Sequence, residues 1–174
     1  MNFTTAVNLI LGLLAIIAQI AVVWLLLSWL FGVKMPAITR THALHISFVA
    51  ATVAMLGSLT YSDILGYAPC TLCWIQRILM YPQVLILGMA LWGKHKGNSA
   101  LIDTSIILSL AGAIVAGYQT LMQFGIVPEG ACAVGAVSCA QRFVVEFGYI
   151  TIPLLSFVTF LLIALLLHHK KRHG

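Results

Sequence analysis

Five long stretches of this chain carry no Asp, Glu, Lys or Arg: residues 1–33, 45–62, 78–93, 104–128 and 147–167. A hydrocarbon core is crossed by roughly 20 mostly apolar helical residues. The pattern therefore predicts five membrane spans, over about 7–31, 43–62, 71–92, 103–125 and 148–167. An open strand would leave backbone groups unpaired in lipid, so the spans are helical. Composition agrees: 61% of the 174 residues are hydrophobic and 7% are charged, against about 25% charged in soluble domains. Little chain remains for a soluble domain. The first stretch lacks a basic start and a small-residue cleavage pattern before Lys34, and it is longer than the apolar core of a secretion signal. It is read as a retained span.

The net charge of +5 does not describe a nucleic-acid surface, because its distribution follows the spans. Lys34, Arg40, Lys94, Lys96, Lys170, Lys171 and Arg172 fall on one side of a five-span chain, and only Arg77 and Arg142 fall toward the other. Basic residues concentrate in cytoplasmic loops. The expected N-terminus is therefore outside and the C-terminus cytoplasmic. That orientation puts all four cysteines, Cys70, Cys73, Cys132 and Cys139, on the side where disulfides persist.

Cys70 and Cys73 form a C-x-x-C pair where the third span begins, with Arg77 one turn deeper. Residues three and four apart share a helix face. A helix N-terminus and a C-x-x-C motif both favour the thiolate, and Arg77 adds a permanent cation beneath Cys73. A charge at mid-bilayer costs at least about 2.5–3.5 kcal/mol, which makes a membrane arginine a functional candidate. The alternative is an arginine that snorkels to the headgroups.

Cys132 and Cys139 lie in "CAVGAVSC", in a loop marked as irregular by Gly125, Pro128, Gly130 and Gly135. Phe143, Val144 and Phe147 follow with helical spacing, so that piece is expected to lie flat on the membrane surface. A plain structural disulfide is one alternative, although closing so small a ring contributes at most about 3 kcal/mol. A zinc site is another, but six residues between Cys132 and Cys139 exceed the usual ligand spacing. Two exposed dithiols, one beside an apolar segment, suggest an electron path through mixed disulfides. The membrane pair would meet a lipid-soluble acceptor, and the loop pair a soluble protein.

"PCTLCWIQRILMYP", with "CAVGAVSCAQRFVVEFGYITIPLLS" downstream, resembles the DsbB family of disulfide-bond formation proteins, in its short-loop, BdbC-like branch. The resemblance covers about residues 43–168. Vitamin K epoxide reductases share the bundle but carry the loop pair before the membrane C-x-x-C. The resemblance implies an all-α integral membrane protein. Residues 41–174 would form a four-helix transmembrane bundle, with residues 1–40 as an extra N-terminal span and loop. It implies that Cys73 engages a quinone, ubiquinone or menaquinone, with support from Arg77, and that Cys70 is its disulfide partner. Cys132 would be attacked by a thioredoxin-like partner of the DsbA or BdbD type, and Cys139 would exchange with Cys70. The setting implied is the bacterial cytoplasmic (inner) membrane. Many members carry a histidine near the outer end of the third family helix, where "GYQTLMQF" puts Gln119. An amide can hydrogen-bond a quinone oxygen but cannot donate a proton as imidazolium does.

Other features read as packing or anchoring. His42 and His45 share a face near one helix end, "HHKKRHG" suits contact with anionic lipid, and Ala113/Gly117 and Ala50/Ala54 have the spacing of close helix contacts. Pro82 and Pro153 fall within the expected spans. Two rivals remain open: a quinone or epoxide reductase running the opposite way, and a non-enzymatic scaffold with two structural disulfides.

Overall fold

In the computed structural model, which describes residues 2–33, 36–92, 97–129, 132 and 137–173, every regular element is helical. The chain runs through α1 (Phe3–Leu30), α2 (Ala37–Leu59), a π-helical turn (Thr60–Ile64), α3 (Thr71–Leu91), α4 (Ser99–Gln123) and α5 (Ile152–His173). Five helices are long and apolar enough to cross a membrane, so the chain is a multi-pass membrane protein: a four-helix bundle, α2–α5, plus α1. Lys34, Lys94 and Lys96 of the charge argument, with Gly130 and Gly135, lie outside the described residues.

α5 is the central post of the bundle. Half (50%) of its most apolar window is buried, against 22% for α1, α2 and α3. One part of its surface joins Phe160, Ile163 and Leu167 to Leu87 of α3 and Ala116 of α4. Another joins Val158, Leu162 and Leu166 to Val22 and Leu25 of α1 and Ala43 of α2. Lipid is as apolar as a helix, so small residues that let backbones approach set the close contacts. The tightest is Gly112 of α4, where a Cβ would collide with the buried ring of Phe160. Gly117, singled out by its spacing, faces Phe157 with more room. A polar contact adds register between α3 and α4: Ser109 Oγ donates to Gln83 Oε1 over 2.9 Å.

One expectation is corrected. Residues 143–150 are not a surface helix. They form a tight reversal closed by mutual Glu146–Ile150 backbone hydrogen bonds, with positive φ at Phe147 and Gly148 (51° and 81°). A left-handed residue pair ends any helical run, so the spacing of Phe143, Val144 and Phe147 misled. The Phe147 ring instead packs against α1 at Gly12, where a Cβ would lie 3.0 Å away. Pro153 does fall within the last span, as expected. It is the second residue of α5, in the first turn, where its missing N–H costs nothing.

Candidate active site

The C-x-x-C spacing has a direct structural meaning. Cys70 is the cap of α3, and its sulfur accepts a hydrogen bond from the Cys73 backbone N–H at 3.4 Å. That is the cap-to-third-residue bond of a helix N-terminus, with sulfur replacing the usual oxygen. It brings the two sulfurs to 2.8 Å as free thiols, Cys70 buried and Cys73 half-buried. The hydrogen bond with Cys73, and then burial, hold the Cys70 thiol above the usual thiol range.

Cys132 and Cys139 are joined as a disulfide with Cα atoms 5.8 Å apart. Both are buried and share a cluster with Cys70 and Met122. The expectation of two exposed dithiols is therefore corrected: small apolar sulfurs pack well, and the loop folds back over the end of α4. Side chains clamp it there. Glu129 Oε1 accepts from Ser138 Oγ at 2.6 Å and from the Ala140 N–H at 3.4 Å. Gln123 Nε2 donates to the Gln141 carbonyl at 2.9 Å, and the Arg142 guanidinium donates to the Gln123 carbonyl. The Ser138 hydroxyl, aided by loop N–H groups, holds the Glu129 carboxyl below the usual carboxylate range.

Gln119 sits where the two pairs meet. It is 1% exposed. Its Nε2 lies 3.1 Å from Cys70 Sγ, 3.5 Å from Cys73 Sγ and 3.3 Å from the Cys139 carbonyl. Its Oε1 accepts from Gln76 Nε2 at 2.6 Å, which turns the NH₂ group toward the sulfurs. An amide here supplies no proton, but it donates hydrogen bonds to sulfur, the form of support a thiolate needs.

Arg77 is directed at α2. Its Nε donates to Ser58 Oγ at 2.9 Å and an Nη to the Ser58 carbonyl at 3.0 Å, while the guanidinium lies 5.3 Å from the Trp74 ring centroid. Arg77, Cys70, Cys73 and Gln119 all line one cavity of about 80 Å³. Ser58, Tyr61, Tyr67, Gln76 and Gln123 line it too, and sequence reasoning missed them. Tyr61, Tyr67 and Phe143 stack in series, with centroids 5.9 and 5.1 Å apart. The π-helical turn that carries Tyr61 has no sequence signal, although such turns recur at functional sites. Ser58, Gln76 and Gln123 are polar residues in apolar helices, which was the available clue.

The disulfide bond formation protein DsbB family model matches residues 39–169. A "probable disulfide formation protein C 2" of Bacillus anthracis is 41% identical over 132 residues, covering 75% of this chain and 91% of that protein. The "disulfide bond formation protein C" of Bacillus subtilis is 40% identical over 129 residues, covering 71% and 88%. The chain belongs to the DsbB family. It is of the BdbC-like kind: a membrane disulfide-bond formation protein, and so an oxidoreductase. The DsbB match takes in almost all of α2–α5 and leaves α1 outside. No solved structure matches the chain.

Proposed function

We propose that this protein reoxidises a thioredoxin-like protein of the DsbA or BdbD type and passes the electrons to a membrane quinone, ubiquinone or menaquinone. A thiolate of the reduced partner attacks Cys132, and the partner's second thiol releases itself as a disulfide, leaving Cys132 and Cys139 as thiols. Cys139 then attacks Cys70, and closure of Cys132–Cys139 leaves Cys70 and Cys73 reduced. Quinone, when bound, accepts two electrons and two protons from that dithiol as its disulfide closes. Each exchange trades one S–S bond for another, so electrons balance at every step. The loop disulfide with free Cys70 and Cys73 corresponds to the state ready to discharge.

The observation that carries this reading is Gln119, whose one amide reaches both pairs. Burial of the loop pair implies that the partner opens the clamp of Glu129, Gln123 and Arg142 to reach Cys132. The cavity residues suit a quinone: Arg77 supplies a fixed cation, Tyr61, Tyr67 and Tyr81 supply hydroxyls, and the buried Gln123 Oε1 has no hydrogen-bond partner. Arg77 and Gln119 would hold the ring edge beside Cys73. Arg40 and Lys170–Arg172 lie at the bundle end away from the cysteines, which favours a cysteine end outside and a cytoplasmic C-terminus in a bacterial inner membrane. The test is anaerobic mixing of purified protein with a reduced thioredoxin-like partner and quinone. Quinol should form stoichiometrically, and Cys139→Ser mixed instead with the oxidised partner, whose disulfide the free Cys132 thiolate can attack, should trap a mixed disulfide that Cys132→Ser abolishes. Full oxidase activity in both single variants would make the loop disulfide structural and end the proposal.

A further inference from the structure

α1 lies outside the DsbB match, yet it is built into the cysteine end of the bundle. It packs along α5 and approaches α2 and the turn after it at the cysteine end. At the cysteine end, the Tyr61 hydroxyl donates to Asn8 Oδ1 at 3.1 Å, and Leu11 approaches to 3.3 Å from where a Gly57 Cβ would lie. At the other end, Val22 and Leu25 cluster with Ala43. α1, α2 and α5 together line a chamber of about 630 Å³, open along the side where Ile17 and Val49 are exposed and in the size range of small-molecule sites. The stretch from Leu11 to Leu25 runs roughly 21 Å at 1.5 Å per residue.

The chamber is not separate from the redox site. Ala54, Ser58, Tyr61, Ile152 and Ser156 line both it and the cysteine cavity, and Ser58 is the residue that holds Arg77. The cysteine cavity, at about 80 Å³, is smaller than the roughly 150 Å³ cavity that takes benzene. A quinone ring can place an edge there, but the remainder must continue into the chamber. Ala18 and Ala21 of α1 face Ala50 and Ala54 of α2 across a largely apolar space, so width is left for a methyl-branched chain.

We propose that α1 walls a chamber for the isoprenoid tail of the quinone, with the ring edge at Cys73 and Ser58 and the tail running along α1 toward Trp24. This rests on the quinone reading above. The tail is favoured over a lipid acyl chain because the space converges on the cysteine pair.

The test uses the full chain in detergent micelles and two quinones with the same ring, one polyprenylated and one bearing methyl in place of the tail. Affinity and quinol formation are measured for wild type, Ala18→Phe and Val53→Phe, two positions that line the chamber and not the cysteine cavity, with thermal unfolding as the check on folding. Comparison within one micelle composition cancels partitioning of the tail. Wild type should prefer the tailed quinone about tenfold or more, and each filled variant should lose that preference while holding the tail-less quinone within about twofold, as expected when only apolar contacts are removed. If both folded variants retain the preference, or lose both quinones equally, the chamber does not hold the tail. Equal affinity of wild type for the two quinones overturns the proposal as well. A wild type that binds neither quinone defeats the quinone reading itself, and this inference with it. Cys73-dependent quinol formation with an unmoved preference defeats the tail assignment alone.

Discussion

Gln119 and Glu129 each do one definable job. Gln119→Leu removes the donor to both sulfurs and strands Gln76 Nε2, whose partner is Gln119 Oε1. A buried group left unsatisfied costs about 1–3 kcal/mol. The variant should unfold at lower temperature, and its transfer of electrons from Cys132–Cys139 to Cys70–Cys73 should slow, read by quenched alkylation of single turnovers. Gln119→His, which keeps an N–H donor, should recover much of the rate; wild-type transfer in Gln119→Leu would dismiss the bridging role. Glu129 has a depressed carboxyl pKa because Ser138 and loop N–H groups bind its charged form. A carboxylate depressed in the fold contributes stability that is present above its unfolded value and lost as pH falls through the folded one. Partial proteolysis near Ser138 should therefore rise on acidification below the ordinary value of 4.5. In Glu129→Gln it should be raised already at neutral pH and change little with acid; identical profiles would show that Glu129 does not clamp the loop.

Among the helices, α4 and α5 carry the closest backbone approach. A Cβ at Gly112 would run into the Phe160 ring, which is fully buried, whereas one at Gly117 would sit 3.1 Å from Phe157. Overpacking a core costs about 1–3 kcal/mol. Gly112→Ala should lower the thermal midpoint clearly more than Gly117→Ala, and Gly112→Ala with Phe160→Leu should recover part of the loss. Equal effects of the two alanines would mean that α4 and α5 slide apart without cost. The start of α3 shows the same dependence of function on an element end. Because Cys70 occupies the cap, the sulfur proposed to take part in exchange also terminates the helix, so opening the pair and fraying the first turn would be linked.

For the whole molecule, the helices alternate in direction and place both cysteine pairs at one end. Single cysteines at Asn2 and Gly97, in a chain lacking the native four, test the proposed orientation with a membrane-impermeant thiol reagent. Asn2 should label in intact cells and Gly97 only after permeabilisation. Labelling of Gly97 in intact cells would reverse the protein in the membrane. The Lys171–Asp103 ion pair, 2.7 Å long but exposed, joins α5 to α4 at the end away from the cysteines and contributes little to stability.

The sequence by itself determined the number and type of elements, because length and apolarity decide what crosses a bilayer. It also determined the two cysteine pairs and the family. It could not show which helix is central: all five spans are strongly apolar, so apolarity alone does not separate the buried α5 from the more exposed α1. Nor could spacing show that residues 143–150 reverse on a left-handed pair, or that the loop disulfide is buried. The chamber was equally invisible, because it is lined jointly by α1, α2 and α5. Gln119 was found through the resemblance, in which many members carry histidine there, but its bonds to both pairs depend on residues 43 to 49 positions away in sequence and on a loop carbonyl 20 away. Only the packing of α3, α4 and the folded-back loop brings those atoms within reach of one amide.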